Sequence, residues 1–154
     1  MAWKDRLRRL AARAGWSVHR WPSNRFDAPE DAFTLLRRAG FVPGRIIDGG
    51  SNAGQFASMI TRIFPEATLD LIEPQSEYWP LLNRLAAARA RTRVHKVAIT
   101  EPGVMQVGMH RGGAKPGTGA FVIDVNGVFE PDFQSPATTL DALSCIRAGW
   151  CSQR

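Results

Sequence analysis

The stretch Ile46-Ile47-Asp48-Gly49-Gly50-Ser51-Asn52-Ala53-Gly54-Gln55-Phe56 decides how this chain is read. Residues 45–48 make a short, apolar, buried strand. The glycine-rich run 49–54 cannot continue it and reads as a loop. Phe56, Met59, Ile60, Ile63 and Phe64 then recur at helical spacing until Pro65 stops them. The unit is strand, loop, helix.

Downstream, the alternation repeats. Residues 68–72 form the next strand and deliver Glu73-Pro74 at its end, residues 77–90 form a helix with Trp79, Leu82 and Leu85 inward, and residues 93–99 form a third strand. Two successive crossovers of this length imply parallel strands with right-handed connections, the first strand at one edge of a doubly wound α/β sheet. Residues 104–110 and 120–125 alternate instead like antiparallel strands around the turn-rich 111–117, with Asn126-Gly127 as a second hairpin signal, so a β-ribbon insertion is expected. Thr139 stands as the cap of a last helix beginning at Leu140.

Upstream, residues 31–39 read as a helix that buries Phe33, Leu35 and Leu36 and ends at Gly40, preceded by an irregular connection over 16–29. Trp3, Leu7, Leu10, Ala11 and Ala14 share one face of an amphipathic basic helix over 3–14, with Gly15 as its stop. Its ordinary role is to cover an edge of the domain with its arginines in water; contact with anionic lipid or nucleic acid is the alternative.

Composition sets the outer bounds. The chain has 154 residues, 44% hydrophobic and 22% charged, which suits one globular domain. The formal net charge of +6 invites a nucleic-acid reading, but residues 1–25 hold seven basic residues against Asp5 alone, so the rest of the chain is balanced. Nucleic acid is therefore not the expected partner of the main body. No apolar run approaches the roughly 18 residues of a membrane span, the first residues lack a signal-peptide core, and a cytoplasmic location is expected. Cys145 and Cys151 suggest neither a zinc site nor a disulfide framework and read as reduced thiols. His19, His95 and His110 show no metal-ligand spacing.

Three nucleotide-loop templates can be laid on residues 48–56. A P-loop needs Lys and then Ser or Thr after its last glycine, whereas Gln55-Phe56 follow Gly54. The dinucleotide fingerprint finds its best register at Gly49, Ser51 and Gly54, with serine where the backbone must approach a pyrophosphate closely. Asp48 also counts against it, since a carboxylate about 4 Å from a phosphate costs on the order of 4 kcal/mol at an intermediate dielectric. The third template, Asp48-x-Gly50-x-Asn52-x-Gly54, suits a cofactor bearing positive charge, and S-adenosylmethionine carries both an ammonium and a sulfonium. Glu73, 25 residues after Asp48 at the end of the second strand, can accept hydrogen bonds from ribose hydroxyls. Taken singly, Asp48 could be a helix cap, Gly50 and Gly54 turn residues, and Glu73 a solvated strand end.

In Ile46 to Phe56, Phe64-Pro65, Leu71-Ile72-Glu73-Pro74, Val97-Ala98-Ile99 and Thr138-Thr139-Leu140-Asp141, the chain resembles the FkbM family of S-adenosylmethionine-dependent methyltransferases, although Gly49 stands where the family more often has a small apolar residue. The resemblance runs from about residue 40 to 143. It implies a partial Rossmann-like sheet over residues 41–154 behind a basic helical extension, 1–40. It also implies that Asp48, Gly49, Gly50, Ser51, Asn52, Gly54 and Gln55 surround the methionine part of S-adenosyl-L-methionine, that Glu73 and Pro74 hold the ribose, and that Val97 and Ala98 lie near adenine. The acceptor would be the hydroxyl of a sugar or secondary metabolite. No catalytic residue follows from it; His110 and Asp124 are the titratable ribbon residues available as a base.

The family continues past Thr-Leu-Asp with a Leu-Lys-Ile-Asp-like strand, whereas Ser144 to Arg154 close this sequence. The expectation is an N-terminal portion of such an enzyme, with little activity alone and prone to oligomerise through an open sheet edge. Two alternatives stand beside it: a non-catalytic binding remnant, and a nucleic-acid-binding protein acting through its first 25 residues.

Overall fold

Residues 2–16, 27–111, 120–122 and 130–145 are described by a computed structural model. The expectations for His19, the turn at 112–117, Asp124, the Asn126-Gly127 hairpin and Cys151 fall outside these residues, as does most of the 16–29 connection.

Arg45–Gly49 (β1), Thr68–Ile72 (β2) and Thr92–His95 (β3) form a three-stranded parallel sheet in the order β1-β2-β3. Asp48 stands opposite Leu71, and Ile72 opposite His95. The alternation of strand side chains sends Ile46, Leu69, Leu71 and Val94 to one face. There Ala57, Met59, Ile60 and Ile63 of Gln55–Ile63 (α3) cover them, with Phe64 just beyond that helix and Leu82 of Trp79–Ala87 (α4). Leu69, Leu71 and Leu82 are fully buried, each stabilising the fold by about 1.5–3 kcal/mol relative to exposure. Asp27–Arg38 (α2) joins this core through Phe33, whose ring meets Phe56 and Phe64 edge-on at 5.9 and 6.4 Å.

The other face of the sheet mixes Ile47 and Ile72 with polar residues. Asp70 is buried there between Arg45 Nε at 2.6 Å and His95 Nε2 at 2.7 Å. Burial opposes the charge of Asp70, but these two partners outweigh it and hold the carboxyl below its ordinary value. Arg45 also donates to the carbonyl of Leu143 in Leu140–Cys145 (α5), tying that helix to the start of β1. Thr139 Oγ1 accepts from the N–H of Ala142, the cap that the sequence suggested.

Three expectations are corrected, and one strand was not foreseen. The third strand does not run unbroken over 93–99: β3 ends at His95, and Ala98–Ile99 (β4) pairs in parallel with Phe133–Thr138 (β7) in a second sheet of order β4-β7-β5-β6. In it Gln106–Arg111 (β5) pairs antiparallel with Ala120–Val122 (β6) and with β7. The strand β7 itself was not anticipated, because its sequence is polar and contains Pro136. The N–H of Ala137 bonds toward β5, so the donor that Pro136 lacks would point toward β4, where pairing begins only at Ala137. The expected helix 77–90 is a single 3-10 turn, Ser76–Tyr78, followed by α4, with Pro80 in the first turn, where its missing N–H costs nothing. Leu35 and Leu36 are exposed, since Phe33 already fills the contact between α2 and α3.

Ala2–Arg13 (α1) precedes this assembly and ends with Trp16 N–H donating to Ala11 and Gly15 N–H to Ala12. No helix among the described residues is long and apolar enough to cross a membrane.

Candidate functional site

Parallel strands deliver their C-terminal ends to one rim of a sheet, and loops at that rim are where ligands meet α/β proteins. Here the rim holds Asp48, the penultimate residue of β1, and Glu73, immediately after β2. The loop between β1 and α3 folds back over β2, because the N–H groups of Gly50 and Ser51 both donate to the Ile72 carbonyl, at 2.9 and 3.0 Å. Ser51 is buried and its hydroxyl donates to the main-chain carbonyl of Asp48 at 2.8 Å.

The turn needs backbone that few residues accept. Gly50 (φ +76°) and Gly54 (φ +80°) are left-handed, and so is Asn52 (φ +49°), whose Oδ1 accepts from the N–H of Ala53 at 2.7 Å. A Cβ at Gly54 would lie 3.2 Å from Leu85 and 3.3 Å from Leu82, so this glycine serves the approach of the loop to α4. A Cβ at Gly50 would meet open space, and one at Gly49 would touch Ile99 at 3.4 Å.

Glu73 is the hub of the site. Its Oε2 accepts the N–H of Asn52 at 2.7 Å; its Oε1 accepts the N–H of Gln75 at 2.9 Å and the Gln75 side-chain amide at 3.3 Å. Trp79 Nε1 donates to the Glu73 carbonyl, Lys96 stands 4.7 Å over the Trp79 ring, and the Glu73 N–H donates to His95. Only 2% of Glu73 remains exposed. A buried carboxylate of this kind is tolerated because the chain satisfies it.

Asp48 is the opposite case. It is buried, and its Oδ2 has no hydrogen-bond partner among the described residues. Burial pushes its carboxyl up to about 6; the Ser51 hydroxyl holds back part of the rise, and the charge of Glu73 adds to it. The rim therefore holds one carboxylate whose two oxygens both accept from the chain and one whose Oδ2 accepts from nothing among the described residues.

Of the residues singled out from the sequence, Asp48, Gly49, Gly50, Ser51, Asn52, Gly54 and Glu73 are gathered by these bonds. Gln55 is exposed at the start of α3, and Pro74 is half-buried beside Glu73. Val97 lies between β3 and β4, and Ala98 packs in a second apolar cluster with Val107 and Met109. Gln75 and Trp79, which position Glu73, were missed as such, since neither belongs to a glycine-loop pattern. His110 Nδ1 lies 3.0 Å from Asp132 Oδ2 in the ribbon. No group of three or more His, Cys, Asp or Glu side chains that could hold a metal ion occurs among the described residues. No family model and no curated protein matches the chain.

Proposed function

We propose that this chain carries the S-adenosylmethionine site of an FkbM-like methyltransferase on a partial Rossmann-like sheet. One observation carries the reading: the buried, unpartnered Oδ2 of Asp48 beside a loop of left-handed turns. A carboxylate pushed toward neutrality by burial is complementary to a cation, because an ammonium beside it supplies the missing hydrogen bond and favours the charged form. The residues fit the methionine end of S-adenosylmethionine on that ground. A pyrophosphate would instead face Asp48 and Glu73 together, with no Lys or Arg in residues 48–55 to offset them.

Glu73 fits the ribose with one adjustment. A carboxylate has about four acceptor positions, and three are taken by Asn52 and Gln75. Two ribose hydroxyls therefore require the long bond from the Gln75 amide to be given up, while both main-chain bonds stay. When bound, the cofactor supplies an electrophilic methyl group on its sulfonium. The chain supplies position: Glu73 pins Asn52 and so sets the loop, and Asp48 orients the cationic end. The acceptor class, a small-molecule hydroxyl, comes from the family resemblance alone. The same reading includes association through β1, whose one strand neighbour among the described residues is β2.

The test is calorimetry on the full chain with S-adenosylhomocysteine and, separately, NAD. Binding of the first in preference to the second, weakened about tenfold or more in Asp48→Asn, is the expected result. A folded chain that binds neither, or prefers NAD, overturns the reading.

A further inference from the structure

The large apolar side chains of α1 stay mostly in water. Trp3, Leu7 and Leu10, at positions i, i+4 and i+7, keep 62%, 54% and 59% of their surface exposed, and Trp16 just beyond keeps 73%. The helix meets the body on another side, where the Ala12 carbonyl accepts from Arg38 at 3.3 Å and Ala12 is half-buried. At about 100° per residue, Ala12 is diametrically opposite Trp3. The expectation of a helix covering a domain edge with its arginines in water holds for Arg6, Arg9 and Arg13, but Trp3, Leu7 and Leu10 are exposed as well.

Charge lies beside the stripe. Arg6, Arg9 and Arg13 are exposed along one flank and, with Leu10, line a shallow depression. Residues 1–25 as a whole carry seven basic residues and one acid. A surface tracking nucleic-acid phosphates needs the arginines but has no use for two tryptophans and two leucines in water. An anionic bilayer surface uses both, taking the apolar stripe at the acyl boundary and the guanidinium groups at the headgroup phosphates. Twelve residues make a helix about 18 Å long, too short to span the bilayer's roughly 30 Å core, so it would lie in the plane of the interface.

We infer that α1 docks this protein onto the surface of anionic phospholipid bilayers through Trp3, Leu7 and Leu10, with Arg6, Arg9 and Arg13 on the headgroups. The inference is independent of the cofactor reading. Flotation of the full chain with phosphatidylcholine vesicles, with and without phosphatidylglycerol, tests it. Partitioning should favour the anionic vesicles by about tenfold or more, fall with salt, and drop about tenfold in Leu7→Ser/Leu10→Ser, which keeps every charge. Arg6→Gln/Arg9→Gln/Arg13→Gln should lose it as well. All five side chains are exposed, so circular dichroism of the variants should match the native chain. Three results each overturn the inference: no partitioning onto anionic vesicles, partitioning that ignores the leucine substitutions, or a vesicle-inert chain that binds duplex RNA or self-associates through this helix.

Discussion

Glu73 and Asn52, the one after β2 and the other in the loop after β1, are joined by a 2.7 Å hydrogen bond from the Asn52 N–H to the Glu73 carboxylate. The bond ties the loop to the neighbouring strand, in addition to the Ser51–Asp48 and Asn52–Ala53 bonds within it. Glu73→Ala frees the main-chain N–H groups of half-buried Asn52 and buried Gln75 and should destabilise the chain by about 2 kcal/mol in urea unfolding. An unchanged midpoint would show that the loop holds itself.

Gln75→Ala separates positioning from ribose binding. It removes only the 3.3 Å side-chain bond and keeps the Gln75 N–H on Oε1. Affinity for S-adenosylhomocysteine should stay equal or improve by up to about threefold, less than 1 kcal/mol, because the ribose no longer has to displace the amide. A large loss in calorimetry would mean that the amide itself holds the ligand.

Asp48 makes stability depend on pH. Its carboxyl rises from 3.8 to about 6 on folding, so between these values the folded chain binds more protons than the unfolded one. Stability is then highest below about pH 4 with respect to this group and falls as pH climbs through 6, by at most about 3 kcal/mol. Asp48→Asn should abolish that slope and be the more stable chain at pH 7.5. Affinity of the native chain for the cationic cofactor should run the other way, strengthening through pH 6. Parallel urea series at pH 4, 6 and 7.5 check the first, and calorimetry at the same values the second.

Asp70 has the reverse sign. Its partners hold the folded carboxyl below the ordinary value, so its contribution is present above about pH 4 and is lost as pH falls through the folded value. Asp70→Asn leaves Arg45 and His95 without their shared anion and should cost about 3 kcal/mol at neutral pH. A variant as stable as the native chain would show that the cluster contributes nothing.

The two left-handed glycines of the loop between β1 and α3 should differ. Gly50→Ala meets only backbone strain and should cost about 1 kcal/mol; Gly54→Ala adds contacts with Leu82 and Leu85 and should cost about 2 kcal/mol or more. Equal thermal shifts would argue against the packing assigned to Gly54.

The parallel sheet and its rim were legible because apolar periodicity and glycine are local signals. Ile46-Ile47, Leu69 and Leu71 announced strands, and Asp48 and Glu73 fell at their ends. What escaped is set by distance in sequence. The break at Lys96-Val97 depends on pairing with β7, about 40 residues away, and Gln75 and Trp79 act on Glu73 only once the turn after β2 has formed. The exposure of Leu35, Leu36 and the α1 stripe was hidden for a related reason: periodicity marks an apolar face but not what covers it.

Only Lys96 and Val97 separate β3 from β4, so the two sheets are joined at the rim by a tether no longer than about 11 Å between His95 and Ala98. The Glu73 N–H donates to the His95 carbonyl at one end of that tether, and Ile99, just past the other, lies where a Cβ at Gly49 would meet it at 3.4 Å. Two residues of chain leave the ribbon sheet little room to shift relative to the glycine-loop rim unless Lys96 and Val97 themselves rearrange.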